Sequence, residues 1–197
     1  VLEPRILPQW FVKIKPLAEK VVAAIERGEV VFYPENYKTI MLHWLNNIQD
    51  WNVSRQIVWG IPIPAWYRNK DNDSQSSEIE IHIGEEQPAG DGWIKETDTF
   101  DTWFSSGQWP FATLGFPDND DFKKFYPTQV METAGEIIFF WVARMLMLGL
   151  YRTGTLPFTT VYLHGIVTAR DGKKMSKSKG NVVSPIELTK KYGTDSL

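Results

Sequence analysis

Between residues 126 and 192 the chain alternates short apolar runs with helix-length segments, and that order limits the folds open to it. Residues 126–131 read as a strand, 135–151 as a helix and 157–163 as a second strand. A lysine-rich loop follows, and Ser184-Pro185 with Glu187 opens a last helix. Strands alternating with helices favour a parallel sheet, because a parallel pair needs a long crossover and a helix supplies it. Such sheets hold ligands at the carboxyl ends of their strands. The lysine loop follows one of those ends.

That loop reads Lys174-Met175-Ser176-Lys177-Ser178-Lys179-Gly180-Asn181. Lys174 and Lys177 are separated by small hydroxyl and thioether residues and closed by a Gly-Asn turn. Such a loop can bring ammonium groups to a polyphosphate and still move, with Gly172 and Gly180 giving backbone freedom. Alone, a Lys/Ser-rich segment is ordinarily a solvated turn.

The first half is less regular. Residues 16–27 place Leu17, Val21, Val22 and Ile25 on a helical stripe that Gly28 ends. Residues 30–33 form a short strand, and Asn36 caps a second helix carrying Ile40, Met41, Trp44, Leu45 and Ile48. Residues 51–66, rich in aromatics and prolines, follow an extended path. The polar stretch 69–77 suits a hairpin tip, and Ile79, Ile81 and Ile83 alternate as in a half-buried strand. Residues 101–106 read as a strand entering a loop, and 115–124 as a long, acidic, mobile connection.

Composition sets limits on function. Of 197 residues, 43% are hydrophobic and nine are Trp, which indicates a packed globular protein of one substantial domain or two small ones. The net charge of −3 provides no basic field for nucleic acid, so any RNA contact must be local. The absence of Cys excludes disulfides and thiolate zinc sites and fits a reducing cytoplasm. The longest apolar stretch, 137–150, is interrupted by Arg144 and reads as a buried helix, not a membrane span. Val1 opens the chain without an initiator Met, so an excised piece of a longer chain is expected.

Four ordered segments carry a resemblance. They are Trp51-Asn52-Val53-Ser54-Arg55-Gln56 with Trp59-Gly60-Ile61-Pro62-Ile63-Pro64, Asp101-Thr102-Trp103-Phe104-Ser105-Ser106, Glu136-Ile137-Ile138-Phe139-Phe140-Trp141-Val142-Ala143-Arg144-Met145, and Asp171-Gly172-Lys173 with the lysine loop. Together they resemble the class I aminoacyl-tRNA synthetases for branched aliphatic amino acids, and the valine-specific ones most. The resemblance implies the second half of a Rossmann-like parallel nucleotide-binding fold in residues 96–197. Residues 1–95 would be the return part of a smaller α+β connective insertion, without its editing domain.

It also implies a chemistry. Valine would be activated with ATP and Mg²⁺ to valyl-adenylate, then transferred to tRNA(Val). Lys174 and Lys177 would neutralise charge on the departing pyrophosphate, with Met175, Ser176 and Ser178 beside the phosphates. Gly135, Glu136, His164 and Gly165 would lie on the nucleotide side, although relatives usually show a Gly and an Asp where Ala134 and Glu136 stand. His164 could equally be a hydrogen-bonded structural residue, while His43 and His82 read as surface or structural. Trp103, Ile137 and Trp141 would form an apolar box for the isopropyl group, Ile137 and Trp141 sharing a helix face at i and i+4. From periodicity alone, both would be core. An apolar box rejects a hydroxyl-bearing isostere poorly, as is known of valine-activating enzymes, hence the family's editing domain.

Departures from the family count too. His-Ile-Gly-His, the signature of the N-terminal catalytic half, occurs nowhere. Where relatives carry a cysteine zinc knuckle this chain has Arg68-Asn69-Lys70-Asp71, so no zinc is expected, and residues 71–73 lack calcium-loop spacing. The chain alone is expected to be nearly inactive. The alternatives are an isoleucine-specific relative, or a module without catalysis that binds tRNA or protein through Lys13, Lys15, Arg55 and the surface near Trp59.

Overall fold

The computed structural model describes residues 6–69, 79–169 and 172–196. In chain order the elements are β1 (Phe11–Val12), α1 (Lys15–Glu26), β2 (Val31–Tyr33), α2 (Asn36–Asn46), β3 (Trp51–Asn52), β4 (Ser54–Arg55), β5 (Ala65–Asn69), β6 (Ile79–Ile83), β7 (Ile94–Lys95) and β8 (Thr99–Phe100). Then follow α3 (Thr102–Ser106), α4 (Trp109–Ala112), α5 (Asp120–Phe125), β9 (Thr128–Ala134), α6 (Ala143–Thr153), β10 (Phe158–His164) and α7 (Pro185–Tyr192).

The α/β reading holds. Strand β10 lies at the centre of a parallel sheet ordered β2-β10-β9, with α6 in the crossover from β9 to β10. Phe32, Phe158, Val161 and Leu163 enter the core, whereas Val31, Tyr33, Val130 and Tyr162 on the alternate positions are exposed. Helix α1 buries Ala18, Val21, Ala24 and Ile25, spaced as one helical stripe, and Gly28 (φ +79°) ends it. Since β2 precedes residue 95, the parallel sheet draws on both sides of the division expected there. The extended path predicted for 51–66 contains β3, β4 and the start of β5 and no helix.

Several local expectations are corrected. Residues 101–106 are helical, not a strand: Asp101 is the N-cap of α3 and accepts the Trp103 N–H at 3.4 Å. The acidic stretch 115–124 holds most of α5. Its Asn119 cap accepts the Asp121 N–H at 2.9 Å, its acids lie in the first turn and Lys123 and Lys124 in the last, as the helix dipole favours. Phe116 meets Phe122 edge to face at 4.9 Å, Phe122 stacks on Tyr126 at 4.8 Å, and these rings pin it down. Asn36 begins α2 but Glu35 occupies the cap position, without a side-chain bond.

Strand β6 forms where expected, antiparallel to β5, yet Ile79, Ile81 and Ile83 are exposed instead of half-buried. The hairpin tip expected between β5 and β6, and the 71–73 segment considered for calcium, lie outside the described residues beyond Asn69. The last helix begins at Pro185 with Glu187 in its first turn, although Ser184 makes no side-chain cap bond.

Helix 135–151 is also not uniform. Gly135–Ile137 is a 3₁₀ turn, Ile138–Val142 a π turn, and α-helical bonding starts only at Ala143. Ile137 and Trp141, expected on one face from their i, i+4 spacing, lie in the 3₁₀ turn and the π turn respectively. Ile138 and Val142 take the core positions at 2% and 0% exposure, and Ile137 and Trp141 stay half-buried beside them. A π turn inside a helix often marks a functional site.

Candidate functional site

The carboxyl ends of β9 and β10 bring together residues thirty apart in sequence. His164 is registered against Ala134, so Gly135 and Glu136 follow one strand end while Gly165 follows the other. His164 bridges this junction: Nε2 lies 3.0 Å from Glu132 Oε1, and Nδ1 lies 2.8 Å from the Gly165 carbonyl oxygen. Both ring nitrogens thus have protein partners. Glu136 is exposed and Gly135 half-buried.

Tyr37, from the first turn of α2, closes over this backbone. A Cβ placed on Gly135 would overlap the Tyr37 hydroxyl and stand 2.8 Å from its Cζ. Gly135 is thus required by close approach, not by an unusual φ. Gly135→Ala is expected to cost about 1–3 kcal/mol, as overpacking does. Tyr37→Ala in the same chain should recover much of it, because the two positions share one contact. Urea unfolding of the two single variants and the double variant checks this, and strict additivity would refute the contact.

The three residues assigned to the apolar box stand on α3, the 3₁₀ turn and the π turn, and α3 touches the π turn. Trp103, in α3, stacks on Phe140 of the π turn with ring centroids 5.7 Å apart. Trp141 Nε1 donates to the Ser106 carbonyl at 3.0 Å and ties the π turn to the end of α3. Trp103, Ile137 and Trp141 are all half-buried, so each keeps a face outside the core. Asp101, only 7% exposed, anchors the other end of α3. Its Oδ2 accepts the Trp51 indole N–H at 3.0 Å and pairs with Arg55 Nη2 at 3.1 Å.

The lysine loop has its own internal order. Thr168 and Lys174 form an antiparallel bridge, and the Ala169 N–H donates to the Lys173 carbonyl at 2.9 Å. Asn181 then spans Met175: its Oδ1 accepts the Ser176 N–H at 2.8 Å and its Nδ2 donates to the Lys174 carbonyl at 3.4 Å. Ser176 and Ser178 hydroxyls are 2.7 Å apart, and Lys177–Lys179 form a 3₁₀ turn closed by Gly180 at φ +63°. Lys174 and Lys177 are exposed while Met175 and Ser176 are half-buried, so the hydrogen bonds hold the loop's spine and leave both ammonium groups to solvent. Asp171, part of the motif read with this loop, lies outside the described residues.

Sequence reasoning missed Tyr37 and the partners of Asp101, because no periodicity signals a ring lying on a distant glycine or an indole reaching an acid fifty residues away. His43 is exposed at the end of α2, and His82 meets the edge of Trp93 at 6.2 Å. Among the described residues, no group of three His, Asp or Glu side chains could hold a metal ion, and no helix is long and apolar enough to cross a membrane.

Comparisons with known proteins identify the family and the fold. The family profile described as tRNA synthetases class I (I, L, M and V) matches residues 1–197. The valine–tRNA ligase of Deinococcus radiodurans is 50% identical over 202 residues, which cover 98% of this chain and 22% of that protein. That of Streptococcus pyogenes serotype M18 is 47% identical over 200 residues, covering 100% and 22%. The chain thus spans about 22% of the length of these relatives. Among solved structures, Mycobacterium tuberculosis methionyl-tRNA synthetase bound by methionyl-adenylate is similar with a TM-score of 0.66 and 21% identity, over 95% of this chain and 31% of that one. The mixed α/β fold with its parallel sheet is the Rossmann-like fold of these catalytic domains. With the profile matched from end to end, this chain belongs to the class I tRNA synthetase family of the I, L, M and V group.

Proposed function

We propose that this chain is the lysine-loop part of the catalytic region of a valine–tRNA ligase. It would contribute to activating valine with Mg²⁺-bound ATP and to transferring the valyl group to tRNA(Val). The observation that carries this reading is the convergence at one sheet end. Nucleotide-side residues Gly135, Glu136 and Gly165 sit at the carboxyl ends of adjacent parallel strands, and the loop bearing Lys174 and Lys177 leaves from the same strand as Gly165.

In this scheme the valine carboxylate attacks the α-phosphorus of ATP, and pyrophosphate departs with the charge that Lys174 and Lys177 neutralise. Met175, Ser176 and Ser178 line the phosphate path, Glu136 reaches ribose hydroxyls, and Gly165 lets backbone approach the base. Trp103, Ile137 and Trp141 surround the isopropyl group. The antiparallel segments between Trp51 and Phe100 act as the connective part. A parallel sheet is ordinarily covered on both faces. The exposed Val31, Tyr33, Val130 and Tyr162 therefore support a nucleotide fold completed by further elements.

The module reading is weaker. Arg55, one of the cations it needs, is engaged by Asp101 and by the Asn52 and Ser54 carbonyls. Identity to valine–tRNA ligases over the whole chain favours valine over isoleucine.

The test is a chimera in which this chain replaces the matching segment of the Deinococcus radiodurans relative. Valine-dependent ATP–pyrophosphate exchange is expected in the chimera, strongly preferred over isoleucine, and nearly absent from the chain alone. A folded chimera without valine exchange, or one driven better by isoleucine, would overturn the reading.

A further inference from the structure

Arg144 lies in α6, three residues beyond Trp141. Its guanidinium is 3.7 Å from the centroid of the Trp51 ring and 5.6 Å from that of Trp44. Its Nε and Nη1 are buried, and among the described residues neither has a hydrogen-bond partner. Burial pulls its pKa below the usual guanidinium range, to about 10, while the Asp101 carboxylate opposes the fall, so the group is a cation at neutral pH. A half-buried cation with two buried, unpaired N–H groups is an expensive way to fill space, because an apolar side chain of similar length would pack without the desolvation penalty. Something other than stability must account for the charge here.

Its neighbours supply a reason. Gly107 ends α3, and a Cβ placed there would stand 3.0 Å from Arg144 Cβ and 2.8 Å from Leu148 Cδ1, so the C-terminal end of α3 rests on the Arg144 stem. At the N-terminal end, Asp101 caps α3 and accepts the indole N–H of Trp51, whose ring the guanidinium covers. One side chain thus reaches both ends of α3, directly at Gly107 and through Trp51 and Asp101 at the cap. Trp103 lies between these ends, and Trp141 is bonded to the Ser106 carbonyl just before Gly107.

We propose that Arg144 is a positioning residue that sets α3, and with it Trp103, against the successive turns carrying Ile137 and Trp141, and so determines the shape of the amino-acid box. The proposal rests on the valine reading above. Cation–aromatic contact has a preferred geometry that an aliphatic contact lacks, and a planar guanidinium held 3.7 Å from one indole and 5.6 Å from a second resists sliding. The charge therefore costs stability and gives the box a fixed width.

Two variants in the chimera test it. Arg144→Met removes the charge but keeps an unbranched side chain. It should leave the thermal midpoint unchanged or raise it, raise the KM for valine about tenfold, as a sub-ångström misplacement of binding groups does, and leave the KM for ATP unchanged. Arg144→Lys keeps charge and stem but loses the flat stacking surface, and should raise the valine KM severalfold. If Arg144→Met does not fold, Arg144→Lys decides alone. A valine KM within twofold of the parent in the folded variants overturns the proposal. So does an equal rise in both KM values together with a fall in the midpoint, the mark of a general structural role. A parent chimera without valine exchange overturns the valine reading and this inference with it, whereas an active parent with indifferent variants overturns the role of Arg144 only.

Discussion

Changing Lys177 to alanine in the chimera is expected to lower kcat for valine-dependent ATP–pyrophosphate exchange by roughly 10²–10³-fold, the loss typical when one group aimed at developing charge is removed. The thermal midpoint should not move, because Lys177 is exposed and its hydrogen bond in the loop is made by the backbone carbonyl to the Gly180 N–H. The expected loss falls on kcat, since charge accumulates on pyrophosphate as the bond to the α-phosphorus breaks, and an interaction stronger in the transition state than in the ground state acts there. Lys174→Ala should fall less, because Lys174 is already fixed beside Thr168 and Lys177 occupies the turn nearer the loop's tip. Lys177→Arg should keep part of the rate by keeping charge, short of full recovery because a planar fork replaces a compact ammonium. A fall of less than tenfold for Lys177→Ala, with the protein folded, would remove Lys177 from the chemistry and return the loop to an ordinary solvated turn.

The parts of the fold legible beforehand were those that local chemistry determines. The β9-α6-β10 crossover showed in the alternation of strand- and helix-length runs, α1 in its stripe and its terminator, and α7 in its Ser184-Pro185 start with Glu187. The two misread segments, 101–106 and 115–124, contain helices of five and six residues, too short for any apolar period to establish. Their real signals are single capping residues, Asp101 and Asn119, and a cap is visible only when sought before a run with no stripe. The partner of β10 in β2 was not legible either. Three residues more than a hundred positions away carry no mark of which strand they will join, and only the buried Phe32 between two exposed neighbours hints that they belong to a sheet with one covered face.

The site divides in the same way. Lys174 and Lys177 were singled out through the family resemblance, since a Lys/Ser-rich run alone reads as a solvated turn. The placement of Gly165 beside Gly135 comes from the register of β9 and β10, which no sequence pattern sets. Trp103 and Trp141 were assigned by motif, and the geometry between them is a tertiary result: an indole N–H on a distant carbonyl and a ring stacked on Phe140. The π turn was hidden for a physical reason, since one wider turn changes which residues face the core without changing which residues are apolar. Arg144 looked like an interruption in a buried helix, and its two tryptophan neighbours come from other elements.

Asp101→Ala should be the most damaging single change to stability among the polar residues of this region, at roughly 3 kcal/mol, and it can be resolved into causes. Loss of the cap of α3 accounts for about 1 kcal/mol. The Trp51 indole N–H, left buried without its acceptor, adds about 1–2 kcal/mol. The Arg55 pair contributes little, since that side chain is 41% exposed and its guanidinium keeps two carbonyl partners. What remains is the Arg144 charge, whose nearby carboxylate would be gone. For a chain of this size the sum corresponds to a fall in the thermal midpoint of about 6–12 °C. Asp101→Asn separates the causes in part: the two N–H groups sit on different carboxylate oxygens, so its single amide oxygen keeps an acceptor for one of them while the charge is removed, and it should cost less than Asp101→Ala. Adding Arg144→Met to Asp101→Asn should then cost less than the sum of the single changes, because no buried cation is left to compensate. A midpoint unchanged in Asp101→Ala would show that α3 is held by its apolar contacts alone. Strict additivity in the Asn–Met pair would show that Asp101 and Arg144 do not sense one another's charge.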